Sequence, residues 1–594
     1  MSHSSKTLIF DLEANGLLKQ ATKVHCIAIL DADTGDTWAY GPDDIEKGLD
    51  ELYQADTIVA HNGTTYDIPL LKKLYGWHRR PGTRLVDTLV VARLLHPNVA
   101  EKDRLRTEWP TKLIGSHSLR AWGMRLGEYK GDYEGPWDEW SQEMQDYCVQ
   151  DVKVTFRLLN HLKPWEYPPV PLDLEHRVAA VCHEMWVEGW TFDKYKATNL
   201  YTDLVKRRDA LEKALVEKYG QWQELDKVLI PKRDNKKLGY KTGVPVEKYK
   251  TVVFNPGSRV HIEKKLREAG WEPQEFTESG RAKLDESVLA RVDQPEAALL
   301  VQYLLVQKRL GQVGDGDSGW LKLVEADGRI HGTINPCGTV TGRATHRGPN
   351  VSQVPANRAP YGKDCRACFT VPKGWKLVGA DMAGLELRAF AHYLAIHDKG
   401  DYAKVVTEGD VHTHNQTLAG LATRDQAKVF ICALLYGASA RKLGTITGRG
   451  EKDGVKLKQR FMESMPAYKK LTDAVKQAMG KGWIKGLDGR RLHIRSEHSA
   501  LNSLLQSAGS ILTKTWIVSF YDQMCANGYA HGYEGDFVIC GFIHDEIQVA
   551  CKEELAETVG ALLEKSAKAA GEPYGFKVPL SSEYVIGHNW SETH

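Results

Sequence analysis

Three groups of residues have types and spacings suited to chemistry on phosphates. In "LIFDLEAN", Asp11 and Glu13 alternate, so on a strand both carboxylates leave one face. "HNGTTYD" places Asp67 at a strand-to-helix junction, and "YCVQD" places Tyr147 and Asp151 four residues apart on one face of a helix. A lone DxE is a common surface pattern. Four carboxylates and a phenol at element ends instead suit hard divalent cations, which take oxygen ligands. Two such ions about 4 Å apart support attack of water on a phosphodiester. The second group lies in "VICGFIHDEIQVAC", where Asp545 and Glu546 interrupt two short apolar strands. Carboxylates are seldom buried unless paired or metal-bound, and Asp381, just after the apolar strand "WKLVGA", is the distant acid that could join them. The third group is a helix, "TRDQAKVFICALLYGA". Thr423 and Gln426 fit a capping box. Arg424, Lys428, Cys432 and Tyr436 then fall at four-residue steps in one stripe, while Ala427, Phe430, Ile431 and Leu434 cover the opposite side. Basic residues in a first helical turn oppose the macrodipole; a bound polyphosphate would relieve the conflict, and an aromatic further along could stack on a base.

The elements that must position these groups alternate along the chain. Residues 1 to about 165 read as an α/β domain. "TLIFDLEA", "CIAIL", "TIVAHN" and "LVDTLVVARLL" are predicted strands; "DDIEKGLDELYQ", "IPLLKKLYG" and "DEWSQEMQDYCVQDVKVTFRLLNHL" are predicted helices. "KPWEYPPVPLDLEH", with four prolines, is a predicted linker. From about 175 to 325 the pattern is helical and charged, with a lysine-rich loop, "PKRDNKKLGYKTGVPVEKYK", suited either to solvent or to a phosphate backbone. From about 326 an α+β texture follows, with a helical insert between about 405 and 480.

A chain of 594 residues is too long for one core, so about three or four domains are expected. Hydrophobic residues at 42% and charged residues at 26% are ordinary for a globular protein. The absence of a long apolar run predicts no membrane span. The start lacks a signal-peptide core, and the ten cysteines show no framework, so a reduced, cytoplasmic protein is expected. Net charge is only +2, so any nucleic-acid contacts must be local. "GDGDSG" matches GxGxxG but follows a helical segment and carries two acids, which argues against a dinucleotide site. "CRAC" is a CxxC without a second pair.

The motifs DxE, Nx3YD and Yx3D, in this order, resemble the proofreading exonucleases of DNA polymerases, with a ribonuclease H-like (DnaQ-like) fold. Rx3Kx7YG resembles the nucleotide-binding fingers helix of family A (Pol I-type) DNA polymerases. "GADMAGLELRAF" and "IHDEIQV" resemble that family's first and third palm motifs. "INPCGTVTGRATHRGPNVSQVP" and "ALNSLLQSAGS" resemble its primer–template segments, and "GSHSLRAWGMRLGEYKGDYEG", "GDVHTHNQ" and "WIKGLDGRRLHIRS" resemble the T7-like phage replicative enzymes. The resemblance implies an exonuclease domain at 1–165, a thumb at 175–325 with a short basic loop at about 231–251, palm at 326–410, fingers at 411–480 and a second palm part at 481–594 with the catalytic hairpin. It implies that Asp11, Glu13, Asp67 and Asp151 hold two divalent ions and that Tyr147 orients the attacking water. Asp381, Asp545 and the Met382 carbonyl would hold two Mg2+ ions, with Mn2+ as a substitute, and Glu546 would lie nearer the primer end. His412, Arg424 and Lys428 would hold the incoming phosphates, Tyr436 would stack at the templating position, and Glu386 would crowd a ribose 2′-hydroxyl. Arg343 and Gln506 would read minor-groove acceptors, with His498 and Asn502 as further DNA contacts.

Three departures from the family pattern stand out. Ala383 replaces the usual serine of the first palm motif. Cys432 stands where an aromatic usually packs against the sugar, which bears on dideoxynucleotide discrimination, and Ala433 replaces the usual glycine. The stretch at 231–251, where some phage relatives carry a thioredoxin-capturing insertion, is short and basic. A host thioredoxin is therefore not expected, and the lysines would grip DNA directly. The implied partners are primer–template DNA, deoxynucleoside triphosphates, a phage helicase-primase and a single-strand binding protein, with the enzyme a monomer in the host cytoplasm. No separate 5′-nuclease domain is expected. The alternatives are an exonuclease with a degenerate polymerase module, a single-subunit RNA polymerase and a non-catalytic DNA-binding replication protein. The first and third conflict with the intact acids and bases, the second with Glu386 and the complete exonuclease set.

Overall fold

The structure, a computed structural model, describes residues 6–277, 279–448 and 450–594. The chain forms two compact units. One comprises 1–190, 331–353 and 371–594; the other comprises 191–330 and 354–370.

The first unit opens with five strands, β1 (Thr7–Ala14), β2 (Val24–Asp31), β3 (Thr37–Tyr40), β4 (Thr57–Ala60) and β5 (Arg84–Asp87), in the order β3-β2-β1-β4-β5. β1 pairs antiparallel with β2 and parallel with β4. Being central, β1 is apolar on both faces. Leu8, Phe10 and Leu12 enter one core, while Ile9 enters the other with Cys26, Cys148 and Val152. The period of two therefore sends Asp11 and Glu13 to the Ile9 side, against the helix Gln142–Leu162 that carries Tyr147, Cys148 and Asp151.

Two expectations need correction here. "LVDTLVVARLL" is a strand only to Asp87. Thr88–Leu95 is a helix, because the Asp87 carboxylate caps it by accepting from Leu89 N, and an apolar run shows no period of its own. The proline-rich "linker" is mostly helical. Pro169 begins the helix Pro169–Glu188, where a missing N–H costs nothing.

A second sheet is antiparallel and four-stranded. Trp375–Met382 lies between Glu546–Lys552 and Ser582–Gly587, with Phe537–Ile543 at the edge beyond Glu546–Lys552. Val378, Ala380 and Met382 pack with Ile547 and Val549 against Trp516 and Phe520 of the long helix Glu497–Ala526. The other face, carrying Asp381, is partly covered by the turn around Trp590, and a side chain at Gly379 would strike Gln548 and the Thr593 carbonyl. The helical insert runs from Asp401–Glu408 through Val411–Ala419, Arg424–Leu435, Ala440–Thr445 and Glu451–Ser464 to Pro466–Ala478. Its core joins Phe430, Ile431 and Phe461 to Phe390 and Leu394.

The same unit holds a buried charge quartet. Arg490 Nη1 is 2.8 Å from Glu175 Oε1 and its Nη2 is 2.7 Å from Asp488 Oδ2, while Lys514 Nζ donates to Glu175 Oε1 at 2.5 Å. All four are at most 7% exposed. Removing one partner strands a buried charge, so Lys514→Met is expected to destabilise the protein by about 3–5 kcal/mol. The midpoint of denaturant unfolding reads this, and an unchanged midpoint rules it out.

The second unit contains the helices Lys194–Tyr219, Arg259–Glu268 and Pro295–Leu310. Its lysine-rich stretch was expected to be a loop between helices. Instead it is the tip and returning strand of a hairpin, Gln221–Leu229 paired with Val246–Val253. Both faces of the hairpin are largely exposed, so no apolar alternation marks it. Cys365 and Cys368 of the CxxC are buried free thiols on or beside the helix Gly362–Ala367. Among the described residues no helix is long and apolar enough to cross a membrane.

Candidate active sites

The first cluster is built by β1 and two helices. Asp67 is the first residue of Asp67–Tyr75 and is buried, as is Asp151; Asp11, Glu13 and Tyr147 are half-buried. The Lys130 ammonium contacts Asp151 Oδ2 and sits 4.5 Å over the Tyr147 ring. The second Asp151 oxygen is buried without a hydrogen-bond partner. Burial above all, then the Asp151 charge, pushes Asp11 up to about 7 against the pull of Lys130. Burial and then Asp11 push Glu13 up to about 10. Burial, then Asp11, holds Asp67 well above its ordinary range. So many carboxylates can stay ionised together only beside positive charge, and an all-oxygen set with an unpartnered oxygen fits a divalent cation.

A stability test follows. These acids bind protons more tightly folded than unfolded, so their contribution is fully present below about pH 4. It is lost as pH rises through about 7 for Asp11 and about 10 for Glu13. Without divalent cations the thermal midpoint is expected to fall over that window. Added Mg2+ should restore it most at the alkaline end, and Asp11→Asn with Glu13→Gln should flatten the slope. A pH-independent difference between the variant and the parent would contradict this.

The second cluster is positioned by sheet register. Asp381 lies directly opposite Glu546, and Met382 N donates to the Asp545 carbonyl at 3.0 Å, fixing the hairpin turn beside the end of the Asp381 strand. Within that turn His544 adopts φ 58°, a left-handed conformation that costs a non-glycine residue about 1–2 kcal/mol. Burial, then Asp545 and Glu546, push Asp381 up to about 7. Burial likewise raises Asp545. Glu546 differs from both: it is buried, accepts from Trp590 Nε1 and from Gln548 Nε2 at 2.7 Å, and lies 3.2 Å from His594 Nδ1.

Beside Asp545 opens a cavity of about 420 Å3, lined by Arg343, Glu386, Tyr436, Ser510 and His544 among others. Tyr436 OH donates to Glu386 Oε1, which also accepts from Arg343 Nη2 at 3.2 Å. Desolvation, then the Glu386 charge, pushes the Cys432 thiol up. On the same helix, Thr423 and Gln426 form the expected capping box. Arg424 and Lys428 are exposed, and their charges help hold His412 below its ordinary value, after burial. A larger cavity, about 1110 Å3, is lined by residues of the insert together with Glu497 and His498, and by none of Asp381, Asp545 and Glu546. Asn502 and Gln506 are half-buried on the long helix.

Residues 241–592 match the model of DNA polymerase family A, and residues 8–163 match that of the RNase_H superfamily. The chain belongs to DNA polymerase family A. A DNA-directed DNA polymerase of Enterobacteria phage T3 is 39% identical over 99% of this chain and 100% of its own length. One of Escherichia phage T7 is 38% identical with the same coverage. Both alignments run to 703 positions against 594 residues here, so 703 less 594 leaves at least 109 positions that this chain lacks. A solved structure, the POL domain of Pol1 from M. smegmatis in complex with DNA primer-template and dNTP, matches with a TM-score of 0.75 at 19% identity. The match covers 99% of this chain and 96% of that one. Enzymes of family A and ribonuclease H-like domains generally act with divalent metal ions.

Four features of this family A chain escape its sequence. Lys130 and Cys148 join the first cluster. Asp410 caps Val411–Ala419 and holds Arg424 Nε at 2.7 Å, the only one of the four that helix-capping rules could have located. The Trp590–His594 segment engages Glu546. Ala433, which stands at the usual glycine, is half-buried and packs against the insert core.

Proposed function

We propose that the chain carries out template-directed 5′–3′ DNA synthesis from deoxynucleoside triphosphates on a primer, with 3′–5′ exonucleolytic proofreading, in phage genome replication. The observation that carries this reading is the register that sets Asp381 opposite Glu546 and ties Met382 to Asp545 at the mouth of the 420 Å3 cavity. Asp381, Asp545 and the Met382 carbonyl would hold two Mg2+ ions, Mn2+ substituting, which when bound supply activation of the primer hydroxyl and charge neutralisation on the triphosphate. Arg424, Lys428 and His412 bind the phosphates. Glu386, braced by Tyr436 and Arg343, excludes a ribose 2′-hydroxyl, and Cys432 leaves the sugar loosely packed. Tyr436 stacks beside the templating base. Arg343, Gln506, Asn502 and His498 meet the primer–template.

In the first cluster Asp11, Glu13, Asp67 and Asp151 would hold two further divalent ions, and Tyr147 orients the water. The exonuclease, thumb, palm and fingers follow the spans 1–165, 175–325, 326–410 with 481–594, and 411–480. The exposed basic hairpin tip supports direct DNA contact by the thumb rather than a thioredoxin partner. A helicase-primase and a single-strand binding protein are the expected replication partners of a monomer in the host cytoplasm.

Primer extension with deoxynucleotides or ribonucleotides, with and without thioredoxin, tests this reading. Extension by deoxynucleotides alone, indifferent to thioredoxin, is expected, and Glu386→Ala should raise ribonucleotide use by about 10-fold or more, as loss of one discriminating contact does. Absence of deoxynucleotide extension refutes the synthesis reading.

A further inference from the structure

The first carboxylate cluster contains a sulfur. Cys148 is fully buried one turn before Asp151, and its Sγ lies 3.8 Å from Asp11 Oδ2. One ligand atom each of Asp11, Glu13 and Cys148 lie within 4.8 Å of one another. Around a tetrahedral zinc-type ion, sulfur and carboxylate oxygen sit about 3.5 Å apart, from bonds of about 2.3 and 2.0 Å. The Cys148–Asp11 pair is therefore within a few tenths of an ångström of that spacing, and Glu13 must move by about 1.5 Å at most. A fourth donor is at hand. Asp151 is 2% exposed, its Oδ1 has no hydrogen-bond partner, and its charge falls on both Asp11 and Glu13.

We propose that Cys148 Sγ joins Asp11, Glu13 and Asp151 as a ligand for a thiophilic divalent cation of the Zn2+ class, a binding mode that competes with the all-oxygen mode of the same cluster. The inference rests on the reading of this cluster as a divalent-cation site and adds its selectivity. On binding, the S–H bond breaks, its proton leaves to water, and the sulfur electron pair forms the bond to the metal, whose oxidation state is unchanged. A hard cation such as Mg2+ takes the oxygens and leaves the thiol protonated; a softer cation takes the thiolate. Four protein ligands also close the coordination shell, the arrangement of a structural rather than a catalytic site, so Zn2+ bound this way inhibits strand degradation.

Cobalt(II) titration of the full chain tests this, because cobalt bound to thiolate absorbs by sulfur-to-metal charge transfer. The parent is expected to show a one-sulfur band that disappears in Cys148→Ser and in Asp11→Asn with Glu13→Gln. Zn2+ affinity should fall by about 10- to 100-fold in Cys148→Ser, at least what loss of an outer-shell partner costs. Mg2+ affinity should stay within about threefold, since sulfur is not its ligand. Cys148→Ala is the second variant, and circular dichroism with the thermal midpoint shows which variants are folded. A band that survives loss of Cys148 places the sulfur elsewhere, for instance at Cys365 or Cys368, and overturns the proposal. So does cobalt held by Asp11 and Glu13 without the band, which leaves the cation-site reading standing. Cobalt binding indifferent to Asp11 and Glu13 overturns both.

Discussion

Asp545→Ala is expected to abolish primer extension while leaving the protein folded and bound to DNA. What the structure shows Asp545 contributing to the fold is its backbone carbonyl, which accepts from Met382 N at 3.0 Å and survives the substitution. Its carboxyl is pushed up by burial, so removing it also removes a desolvated acid from beside Asp381. The thermal midpoint should therefore hold or rise slightly. If Asp545 is the cation ligand proposed above, its loss forfeits several kcal/mol of transition-state stabilisation, and at about 1.36 kcal/mol per decade that is about 1,000-fold or more in kcat. The Kd for primer–template should change little, because Arg343, His498, Asn502 and Gln506, the DNA contacts proposed above, are untouched. Its neighbour gives the contrast. Glu546→Ala removes the carboxylate that accepts from Trp590 Nε1 and Gln548 Nε2 and lies 3.2 Å from His594 Nδ1, so it should lower stability by about 1–3 kcal/mol as well as activity. Extension by Asp545→Ala within about tenfold of the parent would place the chemistry elsewhere.

The difference between these adjacent acids shows where sequence reading reaches and where it stops. The meeting of Asp545 and Asp381 is legible because carboxylates are seldom buried without a partner, and because period two and the hairpin fix which side chains share a face. That Glu546 is turned inward depends on a segment more than 40 positions later, and no local pattern encodes that meeting. The helix from Arg424 to Leu435 was readable throughout, since its cap, apolar face and polar stripe all lie within one stretch of sequence. Lys130 was not, because its value comes from proximity to Asp151, 21 residues away. The hairpin from Gln221 to Val253 failed for the opposite reason: solvent covers both its faces, so burial imposed no alternation. Thr88–Leu95 failed because a fully apolar run fits strand and helix alike, and one capping carboxylate decides between them.

The Asp11→Ala, Glu13→Ala double variant is expected to lose single-strand degradation by about 1,000-fold or more while primer extension continues. The size follows from two ligands on one strand. On the proposed reading each would hold cation charge against the scissile phosphate, and their joint loss would remove at least the several kcal/mol that one such ion supplies. Asp67 and Asp151 remain, but Asp151 then answers only to Lys130, whose ammonium already contacts it. With two repelling acids gone, that ion pair should tighten and the domain should grow more stable, not less, in the absence of cation. Burial had pushed Asp11 up to about 7 and Glu13 up to about 10, so both opposed folding above about pH 4. Lost degradation with a raised thermal midpoint at alkaline pH is a combination that unfolding cannot imitate, because unfolding lowers both. Degradation unchanged in the double variant would show that these carboxylates are surface acids of β1 and that hydrolysis, if present, occurs elsewhere. A lowered midpoint with lost degradation would show instead that the cluster holds the domain together, and that its strained acids are already compensated by Lys130 alone.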